Sequence, residues 1–367
     1  MSARILIFLL SIVFYPFNSS STETKPIRIT IYPTIIDKKV VGSSTTIINK
    51  ETIKENSHLS LGQLLSKFSG INFENLYSGV DVKSSVRVRG FGEQATRNVL
   101  ILINGIRISD MTIAGANLSR VLIENVQKIE IIKGGKASLL FGDGAVAGAI
   151  NIITKNPLYV EDKFQVKTSL KSFNTRQQII SSAKKFDDFV IDYSITNLET
   201  DGYRNNSDYD QSSFNFNLTN FNDGNSRTFA EIKMTDEQTR LPGSILLTDF
   251  YENPKQTRFP EDFATEKISS IKLGGEKNLQ NQNKITSNLR LENKDQYSSM
   301  LNWGIRYKSK TTLNTAHFNS QFISNNSSLY RDIIGKFGID IYNSTYKVDA
   351  NNWAYNQYIN KAEQQII

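Results

Sequence analysis

The chain has 367 residues, with 43 Lys+Arg against 36 Asp+Glu, two His, no Cys and 39% apolar residues. Without cysteine there is no disulfide framework, thiolate metal site or thiol nucleophile, and His58 and His317 alone do not make a multi-histidine metal centre. The net charge of +7 is spread among Asn, Ser and Asp, which gives no argument for a nucleic-acid partner; the length suits two soluble domains or one large β architecture.

Residues 1–21 open with Arg4, continue with an apolar run from Ile5 to Phe17 and end in Asn18-Ser19-Ser20-Ser21. A run this short falls below the ~18–20 residues of a spanning helix and reads as a secretory signal peptide. The segment Ile27-Arg28-Ile29-Thr30-Ile31-Tyr32-Pro33 alternates β-branched and polar residues. That pattern favours an extended strand, the form suited to adding an edge strand to a partner's sheet. The competing reading is a first strand of the domain that follows.

Up to Lys155 the chain is compact and rich in Gly, Ile, Val and Leu. Ser60 is placed to cap a short helix carrying Leu61, Leu64, Leu65 and Phe68, with Gly70 ending it. Strands are expected at Val86–Arg89, Val99–Ile103, Val126–Ile132 and Ala149–Ile153, with Asn104-Gly105 as a two-residue hairpin turn. Gly142, Gly144 and Gly148 have the wrong spacing for a dinucleotide fingerprint and precede a strand rather than a helix. Gly135-Lys136-Ala137 lacks the hydroxyl that a P-loop needs for Mg²⁺. Arg87, Arg89, Glu130 and Lys133 stand on otherwise apolar strands, where exposed charge pairing is the plain reading.

Beyond Leu158 the pattern becomes period-two alternation in segments of roughly ten residues, with Asn/Asp/Gly/Ser turns between them. Examples are Phe164-Val166-Thr168-Leu170, Phe189-Ile191-Tyr193-Ile195, Phe214-Phe216-Leu218, Leu301-Trp303-Ile305-Tyr307 and Phe318 to Phe322. Turns are expected at Asp187-Asp188, Asn222-Asp223-Gly224-Asn225 and Asn325-Asn326, and a long polar loop from Asp236 to Glu266. A soluble β-sandwich shows the same alternation; the signal peptide tips the reading toward an outer-membrane barrel.

Five blocks in order, LGQLLSKFSGI (61–71), VRVRGF (86–91), VLILINGIRI (99–108), VQKIEIIKG (126–134) and ASLLFGDGAVAGAINIITK (137–155), resemble the plug domain of TonB-dependent outer-membrane receptors. Asn104-Gly105 replaces the family's usual Asp-Gly, and Gly134-Gly135 replaces its Gly-Pro. The resemblance implies an α+β plug at 37–155, followed by antiparallel transmembrane β-barrel strands at 156–367. It also implies a Ton box and linker at 22–36, with Ile27 to Pro33 engaged by TonB and its inner-membrane energising complex. Arg87, Arg89, Glu130 and Lys133 become candidates for anchoring the plug to the barrel wall, chiefly Arg89 and Glu130.

The activity implied is energised import without chemistry, so no residue is catalytic and neither a metal site nor a covalent cofactor is expected. The ligand implied is a small-molecule metal chelate, a ferric siderophore ahead of cobalamin, and outer-membrane lipid is the other partner. Arg240, Tyr251, Arg258 and Phe259 in the long loop are the candidate ligand contacts. Family barrels have twenty-two strands, whereas the stretch after Lys155 holds about ten or eleven at roughly twenty residues each. The expectation is therefore the N-terminal part of a receptor in a Gram-negative outer membrane, its last residues lacking the family's terminal aromatic. A non-transporting fragment and a secreted β-rich binding protein are the alternatives.

Overall fold

The computed structural model describes residues 45–57, 59–68, 70–74, 85–88, 98–107, 118, 121, 123–134, 137–138, 144–154 and, with short interruptions at 223–224, 281–282, 303, 329–330 and 353–356, residues 162–366. The signal peptide and the segment 27–33 lie outside these residues.

The N-terminal part is built on a five-stranded sheet in the order β1-β6-β7-β4-β5. These strands are β1 (Thr45–Ile48), β4 (Val99–Ile103), β5 (Ile106–Arg107), β6 (Val126–Lys133) and β7 (Gly148–Thr154). Only β4 and β7 run parallel. A separate hairpin pairs β2 (Ile71–Glu74) with β3 (Ser85–Val88). Helix α1 (Lys50–Glu55) begins at Asn49, whose side chain accepts from Thr52 N–H. Helix α2 (Leu61–Ser66) begins at a full capping box of Ser60 and Gln63, so two orphan amides are satisfied reciprocally. Gly70, three residues past the Lys67 cap, takes φ 78° in the turn that leads into β2.

One sheet face packs Ile129, Ile131, Ile150 and Ile152 against Leu61, Leu64 and Leu65 of α2. On the other, Leu100, Leu102, Ile132 and Ala149 meet Ala137 and Ala145 of the connection between β6 and β7. A sheet covered on both faces reads as continuous apolar strands, as VLILI and GAINIIT do. The turn Asn104-Gly105 adopts φ 51° and 80°, the two positive values that a type I′ hairpin needs.

The C-terminal part is one ten-stranded antiparallel meander, β8 through β17 in chain order. Its strands are β8 (Lys163–Lys171), β9 (Thr175–Lys185), β10 (Phe189–Thr200), β11 (Tyr209–Asn222), β12 (Ser226–Arg240), β13 (Phe263–Asn278), β14 (Lys284–Asn302), β15 (Ile305–Ser328), β16 (Arg331–Asn352) and β17 (Gln357–Ile366). One face carries, in cross-strand rows, Ile195-Phe214-Met234 and Tyr193-Phe216-Ile232-Ile271-Leu291. Met234, Ile271, Leu273, Leu289, Leu291 and Ile339 of this face are exposed. The opposite face buries Thr196, Gln211, Thr235, Glu237, Glu266, Lys294, Thr315 and His317. Apolar outside and polar inside is the inverse of a soluble sandwich and the pattern of a transmembrane barrel wall.

Three expectations change. Leu301 to Tyr307 is not one strand: Asn302 pairs with Ile305 in a hairpin whose turn includes Gly304 at φ 75°. Asn325-Asn326 is not a turn, because both lie within β15 opposite Ile334 and Ile333. The loop expected at Asp236–Glu266 shrinks to 241–262, since Asp236–Arg240 continue β12 and Phe263–Glu266 begin β13. That loop carries a short helix, α3 (Leu247–Glu252).

Candidate functional site

The two long connections, 201–208 and 241–262, lie at the same end of the meander as the turn at 172–174, against 186–188 at the other. Hydrogen bonds join the first group laterally. Phe173 O accepts from Asp201 N–H (3.1 Å) and from the Thr200 hydroxyl (3.2 Å). Arg204 donates from Nη1 to Gly243 O (2.5 Å) and from Nε and Nη2 to Gln256 O (3.1 and 2.9 Å). Partial burial lowers the Arg204 pKa from its ordinary value, yet a guanidinium remains charged. Asn206, at φ 56°, donates its side-chain amide to Phe259 O (2.6 Å), Asp262 O (3.0 Å) and, more weakly, Leu241 O (3.4 Å).

Asp262 carries the chain of bonds to the next hairpin. Its carboxylate accepts from Leu301 N–H at 3.0 Å and from Arg306 Nη1 at 3.1 Å, while Arg306 Nη2 lies 3.2 Å from Glu261. Below the loops, the buried face holds a polar network. Tyr209 donates its hydroxyl to Glu237 (3.0 Å), Glu237 stands opposite Glu266, and Glu266 meets Lys294 (3.0 Å) and Gln296. A carboxylate directly opposite another is tolerable there because each has its own donor.

Among the expected ligand residues, Arg258 and Phe259 come together against Pro242 and Gly243: both their backbone N–H groups donate to Pro242 O, and the Phe259 ring covers Gly243, which has φ 68°. Arg240 instead ends β12 with its guanidinium 5.5 Å from the Phe263 ring. Tyr251 sits on α3, 77% exposed and edge-on to Phe250. Sequence reasoning passed over Arg204 and Asn206, which tie these loops together. The available signal was the turn-rich run Asp201-Gly202-Tyr203-Arg204-Asn205-Asn206-Ser207 between two alternating segments.

Of the candidate anchors in the N-terminal part, Arg87 lies on β3 and Lys133 ends β6, while Arg89 is outside the described residues. Glu130 is not on an exposed face. It is 0% exposed inside the five-stranded sheet, its Oε1 3.0 Å from Lys128 Nζ and its Oε2 accepting from Asn151 Nδ2 at 3.3 Å. Asn151 Oδ1 in turn accepts from Gly105 N–H (2.9 Å), and Asn104 exchanges bonds with Thr154 through its amide (2.8 and 3.0 Å). Glu130 thus sits in a polar relay that ties the β4–β5 hairpin to β7.

An α+β globule preceding an antiparallel meander with an apolar outer face is the plan of a plug domain followed by part of a membrane barrel wall. Residues 37–149 match the TonB-dependent Receptor Plug Domain family. Curated relatives include the Vitamin B12 transporter BtuB of Photobacterium profundum, 31% identical over 116 residues, and that of Vibrio vulnificus, 34% identical over 114. These matches cover 32% and 31% of this chain but 18% of each relative. Solved structures of similar fold include the unliganded ferric citrate transporter FecA (TM-score 0.69, 14% identity, 88% of this chain and 51% of that chain). The ferric yersiniabactin uptake receptor FyuA from Yersinia pestis is comparable (TM-score 0.70, 15% identity, 84% and 50%). The N-terminal part of the chain thus matches the plug domain of TonB-dependent receptors, and the chain spans about half the length of these solved relatives.

Proposed function

We propose that the chain is the plug and first barrel strands of an outer-membrane receptor in a Gram-negative bacterium, which binds a scarce small molecule at its loop end and imports it with energy supplied by TonB. The observation that carries this reading is the plug domain joined to a meander whose outer face is apolar and whose inner face is polar. An outer membrane holds no ion gradient of its own, so work on the plug must come from a partner, and Ile27 to Pro33 is the segment suited to strand addition by that partner.

A ferric siderophore is the ligand we favour. Proteins of similar fold include a ferric citrate transporter, a ferric yersiniabactin uptake receptor and a ferripyoverdine receptor. The BtuB relatives favour cobalamin as the second reading, through sequence likeness confined to the plug. Import needs no bond-making step, and no residue is assigned a catalytic role.

The test is uptake of radio-iron chelate by cells whose receptor carries Ile29→Pro. Proline removes one donor from an added strand. Energised uptake falls to the level of cells without TonB while chelate binding to the surface is retained; wild-type uptake by this variant refutes the Ton-box assignment.

A further inference from the structure

The outward face of the meander changes character row by row between β12 and β16. One cross-strand row, Leu273-Leu289-Phe318-Ile341, is wholly apolar. The next toward the loop end is Ile232-Ile271-Leu291-Ala316-Asn343, and the one after it is Met234-Ser269-Asn293-Asn314-Thr345. A fourth, Asp236-Lys267-Asp295-Thr312-Lys347, holds no apolar side chain. Rows on one face are two residues apart, so the passage from apolar to charged takes three steps of roughly 6.6 Å, or about 20 Å. On a barrel's outer face such a passage marks the edge of the bilayer core, and the long connections at this end put that edge in the outer leaflet.

A groove of about 560 Å³ lies across the two middle rows. Its lower side is formed by Ile232, Ile271 and Leu291, the last two 45% and 49% exposed, and its upper side by Ser269, Asn293, Asn314 and Thr345. Asn293 Nδ2 donates to Asn314 Oδ1 at 2.8 Å, which leaves the Asn293 Oδ1 acceptor and the Asn314 Nδ2 donors for a ligand. The Ser269 and Thr345 hydroxyls make no hydrogen bond among the described residues. Charge in the fourth row is balanced, two Lys against two Asp, with Lys267 3.1 Å from Asp236 and Asp295 accepting from the Thr312 hydroxyl at 2.7 Å. The upper side of the groove therefore offers amides and hydroxyls rather than net charge.

We infer that this groove seats a saccharide-headed lipid of the outer leaflet, with an acyl chain along Ile271 and Leu291 and sugar hydroxyls against Ser269, Asn293, Asn314 and Thr345. Small-molecule sites are mostly apolar, with a few placed polar groups that fix orientation, and this groove has that division. It is continuous with the apolar outer wall, so its occupant comes from the bilayer. Amides and hydroxyls donate and accept together, as sugar hydroxyls do. A headgroup held by its phosphate alone would need a cation in the two middle rows, and neither row has one. The seat rests on the barrel-wall reading and is independent of transport.

The experiment is native mass spectrometry of the full chain in tetraethylene glycol octyl ether micelles, a detergent without sugar, with lipid A and dioleoyl phosphatidylglycerol as probes. Both probes bear phosphate, so a preference reads the saccharide. Wild type is expected to hold lipid A at least fivefold more than phosphatidylglycerol. Asn293→Leu/Asn314→Leu, which turns the upper side apolar, and Ala316→Trp, which puts a bulky ring into the groove, are each expected to lower the lipid A-bound fraction at least fivefold. Ser287→Trp, two rows below the groove on the same outward face, is expected to leave it unchanged. Equal binding of the two lipids by wild type, lipid A retained within twofold by either groove variant, or a loss in Ser287→Trp equal to theirs overturns the seat. Heat-modifiable migration on a gel reads the barrel wall separately. If wild type shows none, the wall reading fails and the seat with it; a migrating wild type without lipid A preference overturns the seat alone.

Discussion

Asn206 makes the sharpest test of how the loop end is held together. It combines a left-handed backbone (φ 56°) with an amide that caps carbonyls at both the start and the end of the 241–262 loop. Replacing it by Ala removes two good hydrogen bonds, worth about 1 kcal/mol each, and puts a Cβ residue without local compensation at positive φ for about 1 kcal/mol more. The sum of about 3 kcal/mol raises the open population of the loop roughly a hundredfold. Asn206→Gly keeps the backbone freedom and loses only the bonds, so about 2 kcal/mol and roughly thirtyfold are expected. Asn206→Asp retains tolerance of positive φ but turns an acceptor toward carbonyl oxygens, and belongs with Ala rather than Gly. Brief trypsin pulses on the full chain read this at Lys255 and Arg258, because cleavage tracks the open population when closing is fast. Equal cleavage of the Ala and Gly variants, or an Asp variant as resistant as wild type, would refute the reasoning.

Two further outcomes concern other parts of the chain. Lys128→Ala leaves the Glu130 carboxylate buried without its cation and is expected to cost about 3–5 kcal/mol, seen as faster hydrogen exchange along β6 and β7, whereas Glu130→Gln costs much less. At the foot of β8, Asp162 has its pKa lowered first by the hydrogen bond from Lys184 and then by that from Lys185 N–H. Its folded value lies below the unfolded one, so the contribution is present above the unfolded pKa and is lost as pH falls through the folded value. Exchange of the Lys185 amide should accelerate only at that acidic end, and Asp162→Asn should abolish the dependence.

Local chemistry made much of the N-terminal part legible. The capping box at Ser60 and the I′ turn at Asn104-Gly105 depend on neighbours three residues apart or fewer, and both formed where the residues predicted them. The barrel misled where its inside-out polarity matters. Glu237 and Glu266 read as loop residues because a strand is expected to bury apolar groups, but in this wall the buried face is the polar one. The run Leu301 to Tyr307 kept its alternation through the hairpin turn. In the structure Leu301 opposes Arg306 and Tyr307 opposes Met300, which puts Leu301 and Tyr307 on opposite faces of the hairpin. Asn325 and Asn326 carry turn chemistry, yet the ladder to Ile333 and Ile334 outweighs that weak preference. The lateral bonds of Arg204 and Asn206 reach residues 35 to 56 positions away, beyond any local pattern.

The strands also end unevenly. A single cross-strand row runs Val166, Ile180, Ile195, Phe214, Met234, Ser269, Asn293. Above it, β8 continues only through 167–171, whereas β14 continues through 294–302. At roughly 3.3 Å per residue, β14 reaches ~13 Å farther along its own direction than β8 does. Strands of a barrel tilt against its axis, so a stagger that builds up along one row is the shear with which a sheet curls, and the meander is already cut on the bias that a round wall needs.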